Sequence, residues 1–158
     1  MYLRVHGDDG AFAGTVLITK PQAGMSRLEV LAGIVDVGLL ERLAVLEEPG
    51  RRPSAILMAD IEGSSLLARR LPSAQYFAFA RRLVREIDRC VVDHCGVVGR
   101  HVGDGVVAFF PADSAGSESL AAQRCIETAR AIQGAIPTVA ERSDLPLDEI
   151  SVRFGLHW

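Results

Sequence analysis

Residues 54–67 read SAILMADIEGSSLL, an apolar run of strand length that ends on an aspartate and breaks into a turn of small residues. A continuous apolar segment of this kind predicts a strand covered on both faces. Asp60 is out of place inside such a strand, because burying a carboxylate without a partner is costly. It belongs at a sheet rim, where the chain leaves through Glu62, Gly63, Ser64 and Ser65 and enters the short helical pattern SLLARRL.

Working outward, Pro72 and Ser73 open a segment that carries Phe77, Ala80, Leu83, Val84, Ile87, Val91 and His94 near helical spacing and stops at Gly96. The runs VVGRHV and VVAFF then flank Gly103-Asp104-Gly105, which predicts a hairpin with a tight glycine turn, closed by Pro111. Ser117 is placed to cap a second long helix through Leu120, Ala121, Cys125, Ala129 and Ile132, up to Gly134 and Pro137. Near the end, Ile150, Val152, Phe154 and Leu156 alternate with Ser151, Arg153, Gly155 and His157, the pattern of a strand with two distinct faces. Strand, helix, hairpin, helix, strand predicts an α+β fold: an antiparallel-rich sheet with helices on one face, and the first strand beside the hairpin.

Upstream of this core, YLRVHGDDGAFAGTVLITKP predicts two strands around an Asp-Asp-Gly turn, so residues 1–25 form a β-hairpin. Ser26 and Glu29 have capping-box spacing ahead of a helical pattern, and EEPGRRP has turn chemistry, so residues 26–53 read as a helical linker with a boundary near residue 50. The core then occupies residues 54–158.

Composition excludes several classes. With 17 basic and 20 acidic side chains and no long basic run, nothing marks a nucleic-acid or anionic-lipid surface. No apolar run approaches the roughly 20 residues of a membrane span, and the first residues lack a signal-peptide core. Three cysteines, Cys90, Cys95 and Cys125, are too few and odd in number for a disulfide framework. The chain reads as cytoplasmic. Cys90, His94 and Cys95 lack an evident fourth zinc ligand and read as structural. Arg69, Arg70, Arg81 and Arg82 read as a solvated helix flank, while His101 faces either a ligand pocket or solvent.

The chemistry lies in the two aspartates. If the strand ending at Asp60 pairs beside the hairpin, Asp60 and Asp104 meet at one rim. Two ionised carboxylates about 4 Å apart repel by about 4 kcal/mol at an effective dielectric of about 20. Either a shared proton or a hard divalent cation must neutralise them, and Mg²⁺ held by two carboxylates plus substrate phosphates is a common solution. The Glu62–Ser65 turn adds backbone N–H groups at a helix start, where phosphate is favoured.

MADIEGSSLLARRL, GVVGRHVGDGVVAFF and SVRFGLHW, in this order and spacing, resemble the catalytic domain of class III adenylate/guanylate cyclases of bacterial type. The resemblance covers residues 54–158. It implies a ferredoxin-like cyclase core, incomplete at its C-terminus, that converts ATP or GTP to a 3′,5′-cyclic nucleotide and pyrophosphate in signal transduction. By position, Asp60 and Asp104 are the implied catalytic metal ligands, with the Ile61 carbonyl assisting and two Mg²⁺ or Mn²⁺ ions bound. Glu62, Gly63, Ser64 and Ser65 lie along the triphosphate. Arg100 stands where the family has a base-selecting lysine, or a glutamate in guanylate cyclases. The implied partner is a second copy, head to tail. Trp158 stands just before the family's dimerisation arm and transition-state residues, so turnover by this chain alone is expected to be very low. The N-terminal hairpin resembles the closing strands of a PAS-type sensor. A non-catalytic cyclase-like module that binds nucleotide or mediates dimerisation is the alternative. A diguanylate-cyclase or polymerase-palm relative shares the plan but lacks support from a Gly-Gly-Asp-Glu-Phe type turn.

Overall fold

The structure, a computed structural model, describes residues 2–6, 12–17, 38–39, 41–43, 50–146 and 150–158. The chain divides into two compact units, residues 1–40 and 41–158. In the first, β1 (Tyr2–His6) pairs antiparallel with β2 (Phe12–Leu17), with a register shift between Val5 and His6. Most of the expected helical linker lies outside the described residues; Gly38, Leu39 and residues 41–43 are helical.

The second unit is built on a four-stranded sheet, in which β3 (Ser54–Ile61) is flanked by β5 (Gly105–Pro111) and β6 (Val152–His157). The fourth strand, β4 (Val97–Val102), lies outside β5, and every pairing is antiparallel. This is the expected α+β architecture, with the first strand beside the hairpin. Among the described residues the sheet is accompanied by the helices α1 (Ser64–Arg70), α2 (Ser73–Asp93), the single turn α3 (Ala112–Ala115) and α4 (Glu118–Glu141).

The faces of β3 differ from the sequence reading. Ala55, Leu57, Ala59 and Ile61 are buried against the helices, whereas Met58 on the opposite face is 55% exposed. The run was expected to be covered on both faces, but the helices that pack on this sheet lie on one side only. Methionine and isoleucine at the even positions hide the alternation that would have revealed the open face. Asp60 belongs to that open face.

α2 buries Leu83, Ile87 and Val91 as expected, with Ala80 and Val84 packed beside them, but differs from the expected stripe at its start. Phe79, Leu83, Ile87, Cys90 and Val91 form its buried face, while Phe77 is 63% exposed. The helix ends in a Schellman turn: the Gly96 N–H donates to the Val91 carbonyl and the Cys95 N–H to that of Val92. Cys95, with φ of 61°, takes the left-handed position expected of a glycine. Gly96 is needed for another reason, since a Cβ there would stand 2.6 Å from the Phe110 ring and 2.8 Å from Val91.

Ser117 caps α4 by accepting the Leu120 N–H at 3.2 Å, as its position predicts. The helix runs past Gly134 and Pro137, where the sequence reading stops it. Ile136, Val139 and Ala140 continue the buried stripe, and Pro137 sits on the exposed face, where water can serve the carbonyl it leaves unbonded. Burial of one more turn outweighs the propensity cost. Cys90 and Cys125 are core residues, and burial pushes the Cys125 thiol up to about 11. His94 Nδ1 lies 2.8 Å from the Cys90 carbonyl at the end of α2.

Candidate functional site

Asp60 is the penultimate residue of β3, facing Arg153 of β6 on one side and, one step beyond the Ala59–Val106 pair, Gly105 of β5 on the other. The absence of a side chain at Gly105 makes room for it: a Cβ at that position would lie 3.2 Å from Asp60 Oδ1. Asp104 is the residue immediately before Gly105, in the turn that joins β4 to β5. The positive φ of that turn falls on Gly103, at 65°. The two glycines therefore serve different ends, one bending the hairpin and the other admitting the Asp60 carboxylate.

Tyr76, near the start of α2, is half-buried, and burial pushes its phenol up. The charge of Asp104 pushes in the same direction and that of Asp60 more weakly, while a hydrogen bond with the Ser64 hydroxyl works against them. Asp104 Oδ2 is buried and has no hydrogen-bond partner. Buried acceptors are almost always satisfied, so an orphaned carboxylate oxygen at this rim is the kind of atom a cation or donor group would complete. Asp104 also lines a groove of about 390 Å³ with Tyr76, Phe77, Ala80, Arg81, Val84 and Gly103.

The Glu62–Ser65 turn is tied to β6. The Glu62 N–H donates to the Ser151 carbonyl at 2.8 Å, and Ser151 Oγ donates to Glu62 Oε2 at 2.9 Å. The Glu62 amide, expected to face phosphate, is therefore committed. Gly63 takes φ of 65° at the N-cap of α1, and its carbonyl accepts from Leu66 and Leu67. Arg100 is exposed on β4 and pairs with Val107, which puts it on the same open face as Gly105 and Asp60. His101 turns the other way: its Nε2 lies 2.9 Å from Asp88 Oδ1 on α2. The rim thus gathers Asp60, Asp104 and the Glu62–Ser65 turn, with Arg100 on its face. Among the described residues no group of three or more His, Cys, Asp or Glu gathers as a cation site. Two carboxylates with one orphaned oxygen fit a hard cation that keeps water or phosphate as its other ligands.

Arg153, Ser151 and Tyr76 were not singled out in the sequence. Arg153 Nη2 stands 3.8 Å from Asp60 Oδ2. The alternation of SVRFGLH puts Arg153 opposite the core-facing residues, but its partner is named only by the β3–β6 register.

Replacing Gly105 by alanine tests this packing. The new methyl group would press on Asp60 Oδ1 and, at 3.2 Å, on the Val102 carbonyl, so the carboxylate must give by a few tenths of an ångström. The expected result is a roughly tenfold loss of Mn²⁺ affinity, of the order seen when a ligand's support is disturbed. Isothermal titration with Mn²⁺ beside a circular-dichroism spectrum of unchanged shape would read it.

The sheet order and the helices on one face define a class III cyclase-like fold. Solved structures carry the same likeness. The adenylyl cyclase CyaB from P. aeruginosa aligns with 18% identity and a TM-score of 0.62, over 69% of this chain and 57% of that one. The guanylyl cyclase Cya2 aligns with 21% identity and a TM-score of 0.60, over 68% and 54%. A bacterial light-regulated adenylyl cyclase aligns with 22% identity and a TM-score of 0.57, again over 68% and 54%. The chain thus spans little more than half the length of these cyclase structures. No protein-family model and no curated protein matches the sequence. Among the described residues no helix is long and apolar enough to cross a membrane.

Proposed function

We propose that residues 54–158 are the N-terminal part of a nucleotidyl cyclase catalytic domain, converting ATP or GTP to a 3′,5′-cyclic nucleotide and pyrophosphate in cytoplasmic signalling. One observation supports the reading: Asp60 packs against the bare Gly105 at the end of its strand, and Asp104, the residue before that glycine, has a buried oxygen without a hydrogen-bond partner. In this proposal Asp60 and Asp104, with the Ile61 carbonyl, hold Mg²⁺ or Mn²⁺. Such ions supply Lewis-acid chemistry, lowering the pKa of the ribose 3′-hydroxyl and balancing the charge of the departing pyrophosphate.

The chain's own residues do the positioning. The Gly63, Ser64 and Ser65 amides line the phosphates, since the Glu62 amide is taken by Ser151. Ser151 also holds the Glu62 carboxylate, which limits its repulsion of a triphosphate. Arg100, on the open face, is placed to meet the purine; its planar fork offers hydrogen-bond geometry that a lysine lacks. A head-to-tail homodimer completes the proposed enzyme, and residues 1–25 and 26–53 act as sensor tail and transmitting linker. The arginine at the base position favours a second reading, a nucleotide-binding module without turnover.

Titration of Mn²⁺ with a non-hydrolysable ATP or GTP analogue, on the native chain and on Asp60→Ala, tests the proposal. Metal-dependent binding to the native chain and a loss of about 100-fold in the variant are expected. If the native chain binds no nucleotide in the presence of Mn²⁺, both readings fail. Formation of cyclic nucleotide, followed by chromatography, separates the enzyme from the binding module.

A further inference from the structure

β4 changes faces in a way that simple alternation forbids. Val98 pairs with the core residue Ala108 and packs against the buried cluster. His101 pairs with Val106, also a core residue, and its Nε2 lies 2.9 Å from Asp88 Oδ1 on α2. Residues three apart in a regular strand face opposite sides of the sheet, yet both of these face the helices. The register shift between Val98 and Arg100 accounts for it: Gly99 is the extra residue of a β-bulge, and Arg100 takes Val107 as its partner. In an unbroken ladder Gly99 would take Val107, and Arg100 would fall opposite Val106, turned toward the helices. The bulge needs glycine for room, since a Cβ on Gly99 would overlap the Phe109 ring and stand 3.1 Å from the Val107 carbonyl. β4 is also an edge strand, and the His101–Asp88 pair ties it to α2 from the helix side.

We infer that Gly99 and the His101–Asp88 pair are positioning residues for Arg100: the bulge takes up one residue so that the guanidinium stays on the open face, and the tie to α2 holds the edge strand in that register. Naming nucleotide as what Arg100 meets rests on the cyclase reading above; the register does not. Bulges beside ligand sites commonly re-aim a side chain. His101 and Asp88 act from the helix side and through Arg100. A surface pair of this kind is weak, being partly exposed on both partners. A slip of one residue, however, reverses every side chain that follows it, so even a small bias between registers changes how often Arg100 faces the site.

Arg100→Ala sets the scale: binding of a non-hydrolysable ATP or GTP analogue in Mn²⁺ is expected to weaken by about tenfold. Gly99→Ala should weaken it to a similar extent with Arg100 still present. Gly99→Ala/Phe109→Ala, which removes the ring in the way, should bind within about threefold of Phe109→Ala alone. His101→Ala is expected to weaken nucleotide binding by about threefold, and His101→Gln, which keeps a donor that can reach Asp88, to stay within about twofold of native. In the Arg100→Ala background His101→Ala should make no further difference, because the tie acts through a guanidinium that is gone.

The test uses the full 158-residue chain. Nucleotide is followed by calorimetry with thermal melts beside it, and register by NMR, as the cross-strand contacts of position 98 with 108 and of position 101 with 106. Weakening in His101→Ala that vanishes in the Arg100→Ala background supports the role. Equal weakening in both backgrounds, or none in either, overturns it, as does an Arg100→Ala variant that binds like the native chain. Should Gly99→Ala melt early, the two His101 variants decide: equal nucleotide affinity in His101→Ala and His101→Gln overturns the role, and a loss confined to His101→Ala supports it. If the native chain binds no nucleotide, the cyclase reading falls and the NMR contacts judge the tie alone. Contacts between positions 101 and 106 that persist in His101→Ala overturn it, and their loss supports it.

Discussion

Asp104→Asn is expected to abolish Mn²⁺-dependent nucleotide binding while leaving the protein as stable as before or more so. The two effects have one cause. Asp104 Oδ2 is buried without a hydrogen-bond partner, next in the chain to the Gly105 that Asp60 packs against. An unsatisfied buried acceptor costs about 1–3 kcal/mol, and more when it is charged. Asparagine keeps the shape and removes the charge, so part of that cost is relieved, a gain of about 1 kcal/mol. In the proposed site a hard cation would lose one of two carboxylates, and its affinity should fall by about 100-fold or more. Mn²⁺ titration and a thermal melt on the same sample read both. A melting temperature several degrees below native would instead give Asp104 a structural role, and binding within tenfold of native would remove it from the site.

The largest expected loss of stability is from Phe110→Ala. Phe110 is 1% exposed, and its ring lies against the bare Gly96 backbone at the point where α2 passes into β4. Removing it opens a cavity that neither Gly96 nor Val91 can fill, at a cost of about 3–5 kcal/mol. Against the roughly 5–15 kcal/mol that holds a typical domain folded, that is a large share. The next residue makes the control. Phe109 packs over Gly99 on the open face and is only partly buried, so Phe109→Ala should cost less than half as much. Urea midpoints of the two variants would check the ranking; equal shifts would mean that the open face is covered in solution.

Phe110 also shows how much of this fold could be read in one dimension. VVAFF announces a strand, and Gly103-Asp104-Gly105 announces the turn before it, because both signals are local. Which of the two phenylalanines is core depends on the side of the sheet that the helices take. The same limit explains Phe77 and Phe79. Both fit a helix, and only the packing of α2 on β4, β5 and α4 decides that Phe79 is the buried one. In α4, Pro137 is a stop signal on propensity alone, yet three buried residues around it carry the helix through. In β3, apolar residues on both faces imitate a doubly covered strand. The helix C-terminus was legible, but not the residue that turns it: Cys95 takes the left-handed conformation because Gly96 is needed under the Phe110 ring.

By itself the sequence determined the element order, the hairpin that holds Asp104, the strand end that holds Asp60, and hence a rim where two carboxylates could meet. Each of these is written within a window of a few residues, as a period, a cap or a glycine turn. Only the tertiary structure decided that Arg153 stands beside Asp60, that Ser151 ties down Glu62 and that His101 turns to Asp88. Those pairs are set by strand register and by which sheet face is buried, and register between distant segments is chosen by the packing of the whole core, which no local pattern specifies.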